Sequence, residues 1–306
     1  MKNRILPAQT QSDINLRVDK ILRDLGNPSP PLNLETVRYL LKLDKSFYSS
    51  SDTGLLASAV HKIKIAGIQV YQRPALLKDV ITKFDLRALY IPDQKRILLD
   101  STVPVLKHRW LEAHEVVHDI IPWHETVMFG DNKQTIMPAC HEQVECEANY
   151  GAGQLLFLRE LFINEARDLT KGIAAVQQLK GRYNNTLTTT LWRYVEMVFP
   201  DVPMLGVVSG HPHPSKAKSD FNPNLPCSHF IQSPTFATNF SKIQITDVFG
   251  AIRSYCGSQR GGPLGASELV LSDDSGIQHV FHFETFFNNY DALTLGCYLR
   301  PVATVG

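Results

Sequence analysis

The chain has 306 residues, 43% of them hydrophobic and 20% charged, and its 31 basic and 30 acidic residues give a formal net charge of +1. This length is enough for two or three domains with a sizeable buried core. The balanced charge argues against a protein that binds nucleic acid mainly through a basic surface. Five scattered cysteines with no Cys-x-x-Cys pair argue against a disulfide framework. The lack of a long apolar stretch or an apolar leader predicts a cytoplasmic protein with no membrane segment.

Two helices and a strand pair are predicted in the first third of the chain. Residues 13–43 have helical periodicity on both sides of a Gly-Asn-Pro-Ser-Pro-Pro break, and Asn33 is placed to cap the second helix. The apolar stripe of the first helix would consist of Leu16, Val18, Ile21, Leu22 and Leu25. The runs AGIQVYQ (66–72) and RALYIPDQKRILLD (87–100) are rich in β-branched and aromatic residues. A turn-like Pro-Asp pair at residues 92 and 93 of the second run predicts a hairpin or a sheet edge.

Helices are predicted through the middle of the chain and strands after it. Apolar periodicity predicts a helix over 107–121 that Pro122 ends, another over 140–163, and two short helices within 171–198. After residue 200 the composition shifts to proline, glycine, serine and β-branched residues, which is typical of a β-rich domain. The strand-like runs there are SKIQITDVF, SELVLSDDSG, QHVFHFETFF and ALTLGCYLRPV. We therefore expect an α+β protein.

The stretch LEAHEVVHDIIPWHE contains a candidate zinc site. His114 and His118 are four residues apart, so a helix presents both imidazoles on one face, about one turn apart, where they can share a metal ion. Glu115 would lie beside the metal, where its carboxylate can take a proton from a water molecule that zinc activates. The alternative is an amphipathic helix in which this short pattern occurs by chance.

A third ligand is expected from the next helix. Glu142, Glu145 and Asn149 share one helical face, whereas Glu147 points roughly the opposite way. This spacing favours Glu145 as the ligand and suggests that Asn149 hydrogen-bonds to a ligand imidazole and fixes its tautomer. The alternative is a solvated acidic face.

Two glycines interrupt this helix and several further side chains flank the site. Gly151 and Gly153 would permit close approach of another helix around the metal, or would simply end the helix. His124, His141 and Tyr150 are candidates for stabilising an oxyanion or gating the metal, and helix capping is the alternative for the two histidines. Tyr90, like Tyr150, is a candidate oxyanion donor. The thiols near the site, in Cys140 and Cys146, more commonly indicate buried free cysteines than ligands.

These motifs together resemble the ImmA/IrrE family of bacterial zinc metallopeptidases. The resemblance covers roughly residues 12–200 and has five parts in chain order. They are PPLNLETVRYLLKLD, RALYIPDQKRILLD, the AHEVVH helix, the Glu-x-x-Ala-Asn pattern of residues 145–149, and IAAVQQLKGRYNNTLTTTLWRYVE. The last part looks like the helix-turn-helix-like segment that often follows the peptidase domain in this family.

The resemblance implies a fold, a cofactor and a reaction. It implies Zn²⁺ bound by His114, His118 and Glu145, Glu115 as the general base, and site-specific cleavage of a helix-turn-helix repressor. The implied organisation is a zincin-like metallopeptidase domain with a small sheet over residues 1–165, a helix-turn-helix-like segment over 166–202 and a β-rich, sensor-like domain over 203–306.

The chain departs from the family pattern at two places, and its function has an alternative. Val117 stands where the family commonly has glycine, and GAGQLL replaces a Phe-Ala-Ala-type stretch after Asn149. Neither change removes a ligand. The alternative function is a non-catalytic regulatory protein with a zincin scaffold that binds a repressor or DNA through residues 170–199. The near-zero net charge and the lack of a basic cluster there weigh against direct DNA binding.

Overall fold

The computed structural model describes residues 3–49, 64–65, 68–69, 87–91, 94–124, 138–219 and 221–302. By packing, the chain divides into two units: residues 6–159, and residues 160–306 joined by residues 1–5. Both contain helices and sheets, which confirms a mixed α+β protein. The expected boundary at residue 165 lies a few residues later than this division. The helical segment 166–202, expected as a separate part, packs in the same unit as the β-rich region.

The first unit begins with the two predicted helices, α1 (Ala8–Asp24) and α2 (Leu34–Leu41). The Asn33 side chain caps α2 as predicted, because its Oδ1 accepts the Glu35 backbone N–H at 2.8 Å. The residues of α1 that are buried in the core are Ile14, Val18, Ile21 and Leu22. Leu16 was wrongly assigned to the buried stripe, since it is 61% exposed.

A small sheet follows these helices. It contains β1 (Asp44–Tyr48), β4 (Ala88–Ile91) and β5 (Arg96–Asp100) in the order β1-β5-β4. β4 and β5 are antiparallel, which confirms the predicted hairpin, although its Pro-Asp turn lies outside the described residues. The AGIQVYQ run contributes β3 (Ile68–Gln69), which pairs with β2 (Lys64–Ile65); the rest of that run also lies outside the described residues.

Two longer helices complete the unit. α3 (Val105–Ile120) packs against β4, β5 and α4 (Pro138–Leu156), and α1 also packs against α4. The prediction of one helix over 140–163 is wrong at its end. α4 stops at Leu156, where Leu158 and Arg159 take left-handed backbone angles, and a new helix starts at Glu160.

Polar contacts hold α3 against its neighbours. The buried Glu112 carboxylate accepts hydrogen bonds from Arg38 Nε on α2 at 2.6 Å and from Lys45 Nζ on β1 at 2.9 Å. Nearer the end of α3, Asp119 accepts from the Tyr90 hydroxyl on β4 and from Lys95 Nζ at 2.5 Å. These ion pairs and hydrogen bonds fix the orientation of α3 between α2 and the sheet.

The second unit is built around an antiparallel sheet. Its helices are α5 (Glu160–Arg167), α6 (Ile173–Tyr183), α7 (Leu187–Arg193, continued by a π-helical turn to Val198), α8 (Pro234–Asn239) and α9 (Ile245–Tyr255). Its strands are β6 (Met204–Ser209), β7 (Cys227–Gln232), β8 (Gly262–Ser272), β9 (Gln278–Phe287) and β10 (Ala292–Pro301). The sheet order is β7-β6-β10-β9-β8. The two short helices and three of the predicted strand runs are confirmed.

One predicted strand run of this unit is a helix. SKIQITDVF leads into α9, whose buried side chains Val248, Phe249 and Ile252 follow a helical spacing and pack with a cluster of phenylalanines. The β-branched residues of this run favoured a strand, but burial of one helical face outweighs that propensity. Within the described ranges, no helix combines the length and the apolar character needed to cross a membrane.

At Gly151, α4 lies close to both α3 and α1, and this makes a testable prediction. An added Cβ atom would lie 2.7 Å from Val117 Cγ1 and 3.2 Å from Ile14 Cγ2, whereas carbon atoms in contact prefer about 3.5–4.0 Å. We therefore expect Gly151→Ala to lower the free energy of unfolding by about 1–2 kcal/mol, because overpacking outweighs the better helix propensity of alanine.

Gly181 on α6 provides the matched control for this variant. No described atom lies within 4 Å of its added Cβ. Gly181→Ala should therefore preserve stability or raise it by up to about 1 kcal/mol. Denaturant unfolding followed by circular dichroism measures both variants. A stabilised Gly151→Ala protein would contradict the close approach of the helices.

Candidate metal centre

The predicted histidine pair lies on α3. His114 and His118 are separated by one helical turn, and their Nε2 atoms are 3.1 Å apart. Both rings are shielded from solvent, with the His114 side chain 12% exposed and the His118 side chain 5% exposed. The helix therefore points two imidazole nitrogens at one position, as the spacing predicts.

α4 brings a carboxylate to the same position. Glu145 Oε2 lies 3.2 Å from His114 Nε2, and its Oε1 lies 3.7 Å from His118 Nε2. Within the described part of the chain, these three residues form the group of candidate ligands, with all ligand atoms within 4.8 Å of one another. The Glu145 side chain is 59% exposed, so the group opens to solvent on the α4 side.

The donor set and its spacing fit zinc. Two imidazoles and one carboxylate, with a remaining open position, are the usual protein ligands of a catalytic zinc ion. Tetrahedral bonds of about 2.0–2.2 Å place neighbouring ligand atoms roughly 3.3–3.6 Å apart. The separations here of 3.1, 3.2 and 3.7 Å bracket that range. The group therefore needs little rearrangement to hold the ion.

Asn149 lies where the sequence placed it. Its Oδ1 is 3.1 Å from His114 Nδ1, the ring nitrogen that faces away from the other ligands. A proton on Nδ1 can be donated to this amide oxygen, which leaves Nε2 free to bind a metal. The Glu-x-x-Ala-Asn pattern thus supplies both a candidate ligand and a partner for a neighbouring ligand.

Glu115 is buried beside the ligand group. The residue is 7% exposed, and its carboxylate accepts a hydrogen bond from the backbone N–H of Tyr90 on β4. Burial raises the pKa of Glu115 to about 7, and the negative charge of Glu145 acts in the same direction. A carboxylate with a pKa near neutrality is suited to taking up and releasing a proton.

His114 and Glu145 favour each other's charged forms. Although burial opposes these forms, the hydrogen bond between the two side chains raises the pKa of His114 to about 9 and lowers that of Glu145 to about 2. Burial, reinforced by the positive charge of His114, lowers the pKa of His118 well below its usual value. Positive charge within the group is therefore favoured on His114 rather than on His118.

A second set of buried contacts extends from the ligand group. His124 Nδ1 lies 3.0 Å from His118 Nδ1, and His124 Nε2 lies 3.1 Å from Glu147 Oε2. His124 is fully buried with a partner at each ring nitrogen, so its position favours orienting His118 over contact with a substrate oxyanion. Sequence reasoning placed Glu147 on the face opposite Glu145 but did not pair it with His124, because His124 lies in the segment after α3, which is remote in sequence.

The remaining candidate residues lie away from the ligand group, or their side chains lie outside the described part of the structure. The Tyr150 hydroxyl donates toward Gln11 and Asn15 on α1, at 3.3 and 3.2 Å, and so faces that helix. Glu142 is exposed and lies outside the three-residue group. Cys146 is a partly buried cysteine that forms no disulfide. The side chains that lie outside the described residues are those of Cys140 and His141.

Comparison with known proteins yields a structural likeness. No protein-family model matches the chain, and no curated protein matches it significantly. Among solved structures, the chain is similar to a Mycobacterium tuberculosis transcriptional regulator, with a TM-score of 0.52 and 14% sequence identity. The match covers 94% of this chain and 88% of the regulator. At this identity the likeness concerns the fold alone: the chain has a mixed α+β architecture similar to that regulator.

Proposed function

We propose that this protein is a zinc-dependent endopeptidase that cleaves a specific cytoplasmic protein, with a helix-turn-helix transcriptional repressor as the expected substrate. The observation that carries the proposal is the convergence of His114, His118 and Glu145 beside a buried Glu115. Three candidate ligands and an adjacent carboxylate are the groups that metal-assisted peptide hydrolysis requires.

The chain's own residues divide the work of the proposed reaction. His114, His118 and Glu145 would hold the zinc ion, which would supply a Lewis acid that lowers the pKa of a water molecule enough for it to be nucleophilic near neutral pH. The Glu115 carboxylate takes the proton of the attacking water and delivers it to the nitrogen of the leaving amine. The Tyr90 backbone N–H holds this carboxylate in place. Asn149 accepts the Nδ1 proton of His114, which keeps the unprotonated Nε2 directed at the other ligands.

The surroundings of the group support a polypeptide substrate. β4 is an edge strand of the described three-stranded sheet, and the backbone N–H of its Tyr90 donates to Glu115. Edge strands are the elements that bind extended peptides through main-chain hydrogen bonds. The choice of a repressor rests on the resemblance to the ImmA/IrrE family, and the structural likeness to a transcriptional regulator is compatible with a role in gene regulation.

The test is cleavage of a candidate repressor. Purified zinc-loaded protein is incubated with the helix-turn-helix repressor encoded nearest to its gene, and the products are weighed by mass spectrometry. We expect one discrete cut that disappears when a chelator removes the metal and returns when zinc is restored. Digestion of casein at a comparable rate would instead indicate a general protease. An intact repressor with zinc bound would exclude this repressor as the substrate.

The alternative function is binding of a repressor or DNA without hydrolysis. The second unit argues against DNA recognition by α7, because every residue of this helix is buried or partly buried. Two basic side chains of the α6–α7 segment are also engaged: Arg182 pairs with Glu165 at 3.1 Å, and Arg193 pairs with Glu196 at 2.9 Å. A helix that reads a DNA groove needs an exposed face. Salt-dependent DNA affinity would favour this alternative.

A further inference from the structure

A continuous chain of buried polar side chains leads away from the ligand group. It begins at His118, passes through His124 and ends at Glu147, with donor–acceptor separations of 3.0 and 3.1 Å. All three side chains are at most 5% exposed. Burying a polar group costs free energy unless its donors and acceptors are paired, so the protonation pattern of these three side chains is restricted.

The geometry specifies which ring nitrogens carry protons. Nε2 of His118 faces Nε2 of His114 and the Glu145 carboxylate, so Nδ1 is the nitrogen left to carry a proton when Nε2 binds a metal. That N–H points at His124 Nδ1, which must then be an acceptor. A neutral His124 that accepts at Nδ1 carries its proton on Nε2, which faces Glu147.

Glu147 is suited to accept the hydrogen bond at the end of this series of side chains. Its carboxylate receives N–H groups from three side chains: Trp123 Nε1 at 2.5 Å, Gln143 Nε2 at 2.8 Å and His124 Nε2 at 3.1 Å. Three donors compensate a buried negative charge and leave it acting only as an acceptor. Because this carboxylate only accepts hydrogen bonds, the His124 nitrogen that faces it, Nε2, is the one that carries the proton.

The elements that carry these residues make the arrangement stiff. His124 follows Pro122 in the short helical turn after α3, six positions beyond His118. α4 contributes two carboxylates to this arrangement. Glu145 lies beside Nε2 of His118, and Glu147, two residues later, contacts His124 on the other side of His118. α4 thus contacts Nε2 of His118 directly through Glu145 and reaches Nδ1 of His118 through His124.

We propose that His124 and Glu147 are positioning residues that hold the ring of His118 in the orientation and tautomer needed to bind the metal through Nε2. This inference rests on the metal site of the proposed function and is independent of whether the protein cleaves peptides. It adds to the proposed reaction two residues that touch neither substrate nor metal. Loss of such outer partners typically weakens metal binding by about 10–100-fold.

The protonation pattern can be read directly in the wild-type protein. Long-range ¹H–¹⁵N correlation spectra of the zinc-loaded full chain, labelled with ¹⁵N-histidine, report which ring nitrogens carry protons. We expect His118 to be protonated at Nδ1 and His124 at Nε2. A proton on Nδ1 of His124 would overturn the proposal, and this readout does not depend on any variant folding.

Variants of the two residues test the effect on metal affinity. By competition with a chromophoric chelator, His124→Phe should bind zinc about 10–100-fold more weakly, because His118 loses its acceptor. His124→Asn, whose amide oxygen can replace Nδ1 as an acceptor, should recover part of the loss. Glu147→Gln should weaken binding in the same direction, whereas Glu142→Gln, an exposed change on the same helix, should leave it unchanged.

The outcomes separate this inference from the proposed function. Wild-type zinc affinity in His124→Phe would overturn the positioning role while leaving the peptidase proposal intact. Zinc binding that depends on His124 and Glu147, without cleavage of any repressor, would support the positioning role and count against the peptidase. Absence of zinc binding by the wild-type protein would remove both.

Discussion

Glu115→Gln is expected to lower the rate of repressor cleavage by about 10²–10⁴-fold while the zinc content stays at the wild-type level. Glutamine keeps the size of the side chain and an oxygen that can accept the Tyr90 backbone N–H, but it cannot take a proton from the attacking water. The measurement is single-turnover cleavage of the repressor, together with metal analysis of each preparation.

A matched carboxylate separates this effect from a general loss of charge. Glu142→Gln removes an exposed carboxylate of α4 that lies outside the candidate ligand group, and it should cleave like the wild type. Equal cleavage by Glu115→Gln would remove this residue from the role of general base. A Glu115→Gln protein that lost its zinc as well would indicate that the residue supports the metal site, and the loss of cleavage would then say nothing about proton transfer.

Glu145→Ala is expected to weaken zinc binding by more than about 100-fold, since loss of a direct ligand should exceed the loss caused by an outer partner. Its carboxylate oxygens lie 3.2 and 3.7 Å from the Nε2 atoms of His114 and His118. Chelator competition measures the affinity, and circular dichroism checks that the fold is retained.

Two other glutamates of the same helix are the controls for this result. Glu142→Ala should keep full affinity because the side chain is exposed and outside the group. Glu147→Gln should reduce affinity less than Glu145→Ala, because Glu147 acts on His118 only through His124. An unchanged zinc content in Glu145→Ala would move the third ligand to another residue.

Val117 on α3 packs against Gly151 on α4. The Val117 Cγ1 atom lies 2.7 Å from the position that a Cβ atom would take at Gly151. The valine side chain is therefore accommodated by the missing side chain on α4, and the two helices can bring His118 and Glu145 together.

Local signals in the sequence were sufficient for much of the site. The spacing of His114 and His118, and the common face of Glu145 and Asn149, depend only on the period of an α-helix. The Asn33 cap and the β4–β5 hairpin likewise depend on residues that are near in sequence. Such patterns can be read from one chain because no distant partner is needed to define them.

Other features depended on partners that are distant in sequence. Nothing near Glu147 shows that it pairs with His124, 23 positions earlier. The β-branched residues before Val248 favoured a strand, but packing of one helical face against the aromatic core produced α9. Likewise, the periodicity of residues 140–163 gives no sign of the left-handed residues that end α4.

The amino-acid sequence by itself determined which residues can act as ligands, base and cap, because helix periodicity places them on common faces. Only the tertiary structure decided how close α3 and α4 lie, which face of each helix is buried, and which carboxylate meets which imidazole. The reason is physical: burial of apolar surface and the pairing of buried polar groups arise between elements remote in sequence, and these outweigh local propensity.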